Sequence, residues 1–345
     1  MDRKKYEEEL LNSILSHSLS SENPSKKTIK KASATSPSFF NEYKNDLLIK
    51  YQDTSFEDFK NISTIENSQG EVIKITNKEK CNFNLEKYDY KKKLSNNLQL
   101  ISGIGSKKES KLKEDGFKTI EDLTTHPIYS IGAKRILNHI ETNCFLNSFN
   151  FLKTNKESTV KCASLLAKEN FKFMDIETLG LSNVPIILIG IAEIKNNNIY
   201  TYQYLLKDKI NEGAVISQYI SHLDESSILV TFNGQRFDEP FIKTRARYYQ
   251  INYNYNIPHY DLYYFSRNLW KNQLPNCKLQ TIEKYIFGIE REDDVPGQFI
   301  PSYYETYLKE NNIGPLMPII KHNRIDIVSL AGFLEKIHNE TCFEK

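Results

Sequence analysis

The chain has 345 residues, 26% of them charged and 39% hydrophobic, which suits two domains with cores of their own and excludes a fibrous or wholly disordered polymer. Forty-six basic residues against forty-four acidic ones leave a formal net charge of +2, so no whole-molecule field draws in a polyanion and any basic surface has to be local. The longest uncharged apolar run, Val184 to Ala192, has nine residues where a membrane helix needs about 20, so no membrane partner is expected.

At the N-terminus Arg3, Lys4 and Lys5 alternate with Glu7, Glu8 and Glu9, without the apolar stretch that secretion uses. Cys81, Cys144, Cys162, Cys277 and Cys342 are scattered and form no C-x-x-C pair. These features lead us to expect a cytoplasmic protein with reduced thiols and no thiolate zinc site. In residues 1–38, Tyr6, Leu10, Leu11, Ile14 and Leu15 predict one short helix, followed by a disordered linker rich in Ser, Lys and Pro. Residues 39–97 are polar and carry no functional reading, although Gly70 followed by Val72, Ile73 and Ile75 predicts a strand.

Residues 98–145 predict short helices, with a helix-like connector near 150 to 168. Residues 168–340 change to strands and helices. Phe171 to Glu177, Ile186 to Ile194 and Ile199 to Leu205 read as an antiparallel meander. A helix around Val215 to Leu223, a strand at Ile228 to Phe232 and a helix from about Glu239 to Tyr249 follow. A last helix places Ile327, Leu330, Ala331 and Leu334 on one stripe. The alternation predicts an α/β fold: a mixed sheet, antiparallel meander plus parallel strands, flanked by helices.

Asp175 and Glu177 stand two apart on a predicted strand, so both project from one face while Ile176 points to the other. An isolated D-x-E is commonly a solvated pair, but Phe171 and Phe173 precede these acids on the same face and a Gly180 turn follows. The second element, Asn233 to Asp238, ends a strand and puts Asp238 at a helix start, where it could serve as a helix cap. The third places His322 and Asp326 one turn apart on a helix.

In this order and spacing, D-x-E, N-x-x-x-F-D and H-x-x-x-D resemble the exonuclease motifs of the DEDD (DnaQ-like) superfamily. With His259-Tyr260-Asp261-Leu262, Leu269-Trp270 and Glu292 to Gly297, the stretch from Phe171 to Ile337 looks like that superfamily's YprB-type ribonuclease H-like domain. The resemblance implies a ribonuclease H-like fold and a metal-dependent nuclease, a 3′–5′ exonuclease of DNA or RNA. Asp175, Glu177, Asp238 and Asp326 would hold two Mg²⁺ or Mn²⁺ ions, and His322 would accept the proton of the attacking water. His322 stands four residues before Asp326 where the superfamily's His branch has five. Thr178 and Leu179 resemble residues that contact a terminal sugar and base, and Asn233 is a candidate for positioning substrate. Asp261 reads as a helix cap or supporting group, and Glu292, Asp293 and Asp294 as a solvated loop. Basic and aromatic residues interleaved between Arg245 and Lys271 serve either as stacking platforms or as packing.

Upstream, Ile101, Gly103, Ile104, Gly105, Leu112, Gly116 and Ile120 resemble a helix-hairpin-helix, a small all-α domain preceding the sheet. Gly103 and Gly105 permit a tight turn whose N–H groups face a phosphate, and Lys107 and Lys108 add charge, so contact with nucleic acid would be sequence-independent. Glu109 occupies a place where this motif has a small residue, and Ile131 to Arg135 suggest the start of a second hairpin. A noncatalytic nucleic-acid-binding scaffold and an endonuclease are the competing readings.

Overall fold

Among the described residues, seven strands form one mixed sheet: Ile62–Asn67 (β1), Gly70–Lys80 (β2), Phe171–Thr178 (β3), Ile186–Lys195 (β4), Asn198–Leu205 (β5), Ile228–Thr231 (β6) and His259–Asp261 (β7), in spatial order β1-β2-β5-β4-β3-β6-β7. The computed structural model describes residues 36–88, 90–141, 156–253, 257–291 and 294–343. The predicted N-terminal helix, Cys144, Tyr255, Glu292 and Asp293 lie outside the described residues.

The meander β3-β4-β5 is antiparallel, and β6 and β7 join β3 in parallel, as the mixed-sheet expectation required. The turn between β4 and β5 uses Asn196 and Asn197 at φ 49° and 57°, a left-handed pair that asparagine tolerates well. Ile186 to Ile194 is apolar throughout because β4 is buried on both faces. Alternation along β3 sends Phe171 and Phe173 into one core and Met174 and Ile176 into the other.

Residues 39–97 do not form a region of their own. Helix Pro37–Lys50 (α1) begins inside the stretch read as linker and buries Phe40 and Leu47; the Tyr303 hydroxyl donates to the Phe40 carbonyl at 2.7 Å. Strand β2 pairs with β5 from Ile73–Leu205 to Lys80–Asn198, and β1 pairs with β2. The strand predicted after Gly70 is β2, whereas the polar residues of β1 suit a sheet edge, which is why composition alone concealed that strand.

The helical segment comprises Lys91–Ser95 (α2), Ser106–Glu114 (α3) and Ser130–Glu141 (α4), joined by 3₁₀ turns. Its buried Leu98, Leu112, Ile120 and Ala133 are continuous with the core that receives Phe171 and Leu334. Ile131 to Arg135 lie inside α4, and the residues that follow it, 142–155, are outside the described ones. A Cβ on Gly132 would meet Ile101 Cγ2 at 2.9 Å, and the glycine is there for close packing. The remaining helices are Lys156–Lys161 (α5), Glu212–Ile220 (α6), Asp238–Tyr248 (α7), Leu262–Trp270 (α8), Leu279–Ile282 (α9), Ile300–Glu310 (α10) and Leu316–Phe343 (α11). A π-helical turn, Glu283–Phe287, follows α9. Helix α11 crosses β3, β4 and β5 and buries its Ile327, Leu330, Ala331 and Leu334 stripe. Among the described residues no helix is long and apolar enough to cross a membrane.

Candidate active site

Asp175 lies opposite Gly190 in the β3–β4 register. Gly190 is what lets α11 approach: a Cβ there would fall 2.1 Å from Asn323 Oδ1 and 2.9 Å from its Cγ. Seated in that gap, Asn323 donates through Nδ2 to the Asp175 carboxylate at 3.0 Å and accepts from Gln203 Nε2 at 3.0 Å. One glycine thereby brings an orienting donor against the first acid.

Asp238 reaches the same place from another segment. After β6 the chain turns through Asn233 at φ 67°. Asp261 fixes the turn by accepting from Asn233 N at 2.7 Å, Gln235 N at 3.1 Å and Tyr263 N at 3.2 Å, which makes it both a cap of α8 and a latch on the loop. Asp238 then opens α7, and its Oδ1 accepts from Ile176 N at 3.2 Å, between the two acids of β3.

Helix α11 supplies His322 and Asp326 on one face. His322 Nδ1 donates to Asp294 Oδ1 at 2.6 Å, while Nε2 lies 3.4 Å from Asp326 Oδ2 and 3.8 Å from Glu177 Oε1. One ligand atom each from Glu177, His322 and Asp326 can be chosen so that all three lie within 4.8 Å of one another. The other Asp326 oxygen accepts from Arg291, a buried arginine that also donates to both Glu283 oxygens at 2.7 Å. Asp294 is correspondingly not a solvated loop residue: its other oxygen accepts from Gln280 at 2.7 Å and lies 3.6 Å from Arg291.

Glu177, Asp238 and Asp326 are buried, while Asp175 keeps some exposure at the pocket, although protein packs densely round its carboxyl. Burial first, and then the neighbouring carboxylates, push Asp175 well above the usual carboxylate range. Burial likewise pushes Glu177 up to about 8, with His322 partly opposing it, and Asp238 up to about 7. Burial alone would lower His322, but Asp326, the Asp294 hydrogen bond and Glu177 prevail and raise it to about 9. Asp294 is held low against its burial by His322 and Arg291. The acids therefore repel one another in the folded chain, and a cation in their midst relieves that repulsion.

The other expected site residues lie round this cluster or apart from it. Thr178 donates to the Gly180 carbonyl at 2.6 Å and Leu179 is half-buried, both in the turn just beyond Glu177. Beside that turn a cavity of about 200 Å³ is lined by Leu181, Asn183, Arg236, Phe237 and Phe241. Gly103 and Gly105 are exposed on the loop before α3, and Lys107 and Lys108 are exposed in its first turn, outside the acidic cluster. Gly103 has φ +86° and Lys108 Nζ donates to its carbonyl at 2.9 Å. Glu109, unexpected in its motif, accepts from Leu98 N at 3.2 Å and Gln99 Nε2 at 2.6 Å and so ties the preceding turn to α3.

Several residues of the Arg245 to Lys271 stretch serve packing. Arg245 pairs with buried Glu212, Trp270 Nε1 donates to Glu340 at 2.8 Å, and Tyr260 is buried. Sequence reasoning missed Arg291 and Glu283. The signal available was the Arg291-to-Asp294 charge run just before Pro296-Gly297, with a basic residue heading the acids.

The RNase_H superfamily profile matches residues 172–338. Over 171 residues, 48% of this chain, the sequence is 35% identical to "Uncharacterized protein YprB" of Bacillus subtilis, covering 41% of that protein. Over 132 residues, 31% of this chain, it is 30% identical to a DNA polymerase of Methanocaldococcus jannaschii, covering 8% of it. The chain thus spans less than half the length of these curated relatives. The profile match, the similarity to YprB and the mixed sheet together identify residues 172–338 as a YprB-type ribonuclease H-like domain, from a superfamily whose members are generally nucleases.

Proposed function

We propose that this chain is a metal-dependent 3′–5′ exonuclease that hydrolyses phosphodiester bonds of DNA or RNA. The observation that carries the reading is the convergence of Asp175, Glu177, Asp238 and Asp326 from β3, α7 and α11. Their donor set fits hard divalent cations, since buried carboxylates that raise one another's pKa gain most from a dication in their place. Two Mg²⁺ or Mn²⁺ ions would be held there by these four residues. When bound, such ions supply charge neutralisation and Lewis-acid activation for phosphodiester hydrolysis.

The chain's own groups prepare the site. Asn323 orients Asp175, the Ile176 N–H anchors Asp238, and Arg291 anchors Asp326. Thr178, Leu179 and Asn233 border the acids and are assigned to the end of the strand being cut. Polymerase similarity in the matched stretch supports nucleic acid as substrate. On this reading the Gly103–Gly105 turn and the first turn of α3 contact the phosphate backbone without reading sequence, through exposed N–H groups and lysines.

The test is Mg²⁺- or Mn²⁺-dependent degradation of 5′-labelled single- and double-stranded DNA and RNA by the wild type and Asp175→Ala. The expected result is a ladder shortening from the 3′ end that disappears in the variant. Cutting of a circular substrate would replace the exonuclease by an endonuclease, and binding without turnover would leave a noncatalytic scaffold.

A further inference from the structure

We infer that His322 is a metal ligand and not the acceptor of the water's proton, and that its nitrogen makes the site take a first-row transition ion such as Mn²⁺ in preference to Mg²⁺. The inference rests on the metal-dependent reading above and names the ion. A neutral imidazole that donates through one ring nitrogen presents a lone pair at the other. Asp294 accepts the Nδ1 hydrogen at 2.6 Å, so once the ring gives up its second proton the lone pair falls at Nε2, the atom that lies 3.4 Å from Asp326 Oδ2 and 3.8 Å from Glu177 Oε1. Two carboxylate oxygens and one imidazole nitrogen thus lie within 4.8 Å of one another, close enough for one ion to touch all three.

The surrounding groups have the form that holds metal ligands in place. A histidine ligand characteristically gives its remote N–H to a carboxylate, which sets its tautomer and its direction. Asp294 does this, and it is itself held by Gln280 at 2.7 Å. Arg291 occupies the outer oxygen of Asp326 and leaves Oδ2 turned inward, while Glu283 holds Arg291 through two hydrogen bonds at 2.7 Å. The charges are matched in the same way, with Glu283 answering Arg291. The four-residue spacing of His322 and Asp326 follows from this role: i and i+4 stack on one helix face, and both reach a single ion. Mg²⁺ prefers an all-oxygen shell, whereas imidazole nitrogen favours transition ions.

The experiment is pulsed EPR of Mn²⁺ bound to the full chain, together with calorimetry of Mn²⁺ and Mg²⁺ binding to the wild type, His322→Gln and Asp294→Asn. Bound Mn²⁺ in the wild type is expected to show the modulation of a directly coordinated ¹⁴N. His322→Gln should lose that modulation and bind Mn²⁺ about tenfold more weakly with little change for Mg²⁺, and Asp294→Asn should weaken Mn²⁺ by about tenfold. Bound Mn²⁺ without nitrogen modulation overturns the inference and leaves the nuclease reading standing, and that measurement needs no variant. Equal weakening of both metals in His322→Gln also overturns it. Absence of Mn²⁺ uptake by the wild type overturns the metal-dependent reading itself.

Discussion

Gly190→Ala tests how the first acid is positioned. The new methyl carbon would lie 2.1 Å from Asn323 Oδ1, 2.9 Å from Cγ and 3.1 Å from Nδ2, so Asn323 has to leave its seat. Overpacking of this kind costs about 1–3 kcal/mol. Losing the Asn323 hydrogen bond to the Asp175 carboxylate adds about 1.5–3 kcal/mol. Together they amount to about 2.5–6 kcal/mol, a large part of the stability of an ordinary domain, and a fall in Tm of roughly 10 °C. Calorimetry or denaturant unfolding on a double-mutant cycle with Asn323→Ala isolates the cause. All three close contacts are with Asn323, so in the Asn323→Ala background Gly190→Ala is expected to cost less than about 1 kcal/mol. An equal penalty in both backgrounds would refute the steric account and place the cost elsewhere in β4.

Two further outcomes follow from charge and from backbone conformation. Glu177, Asp238 and His322 all bind protons more firmly in the folded chain, with pKa values of about 8, 7 and 9 against ordinary values of 4.5, 3.8 and 6.5. The metal-free fold therefore carries more protons than the unfolded chain, and its Tm should fall as pH rises from about 5 to about 9, with saturating Mn²⁺ flattening the slope. A Tm that climbs over that range would contradict the crowding of these groups. For the helical segment, Gly103→Val with Gly105→Val places a β-branched residue at φ +86°. Anisotropy titrations should then show weaker long-duplex binding while hydrolysis of a short oligonucleotide stays nearly intact; equal loss of both would contradict the division of labour.

The strands of the ribonuclease H-like part were legible because burial on one or both faces leaves an apolar alternation or an apolar run, as in β3 and β4. Asp175 and Glu177 could be put on one face from the period of two alone. Their meeting with Asp238 and Asp326 came from the order and spacing of three motifs, which carries distances that local reasoning lacks. Asp294, Arg291 and Glu283 were illegible for the opposite reason. A charged run before a Pro-Gly turn has the composition of a solvated loop, and only the fold shows His322 and Asp326 waiting opposite it. Asn323 and Gly190 are likewise ordinary in sequence, and their importance exists only where α11 meets β4. A strand after Gly70 was legible, but its place in this sheet was not, because its partner β5 follows more than a hundred residues later and pairing at that separation leaves no periodic trace.

The hairpin β1–β2 limits how far the chain can be trimmed. Strand β5 is interior only because β2 covers its outer edge, and Glu79 of β2 meets the guanidinium of Arg324, which stands between His322 and Asp326 on α11. A fragment trimmed to the homology boundary at residue 172 would bare the backbone of β5 from Asn198 to Leu205, an invitation to intermolecular strand pairing. It would also leave Arg324 largely enclosed without its carboxylate, between His322 and Asp326. A fragment that keeps these contacts has to reach back at least to Pro37, so the stretch of sequence with no motif of its own braces the helix that carries His322 and Asp326.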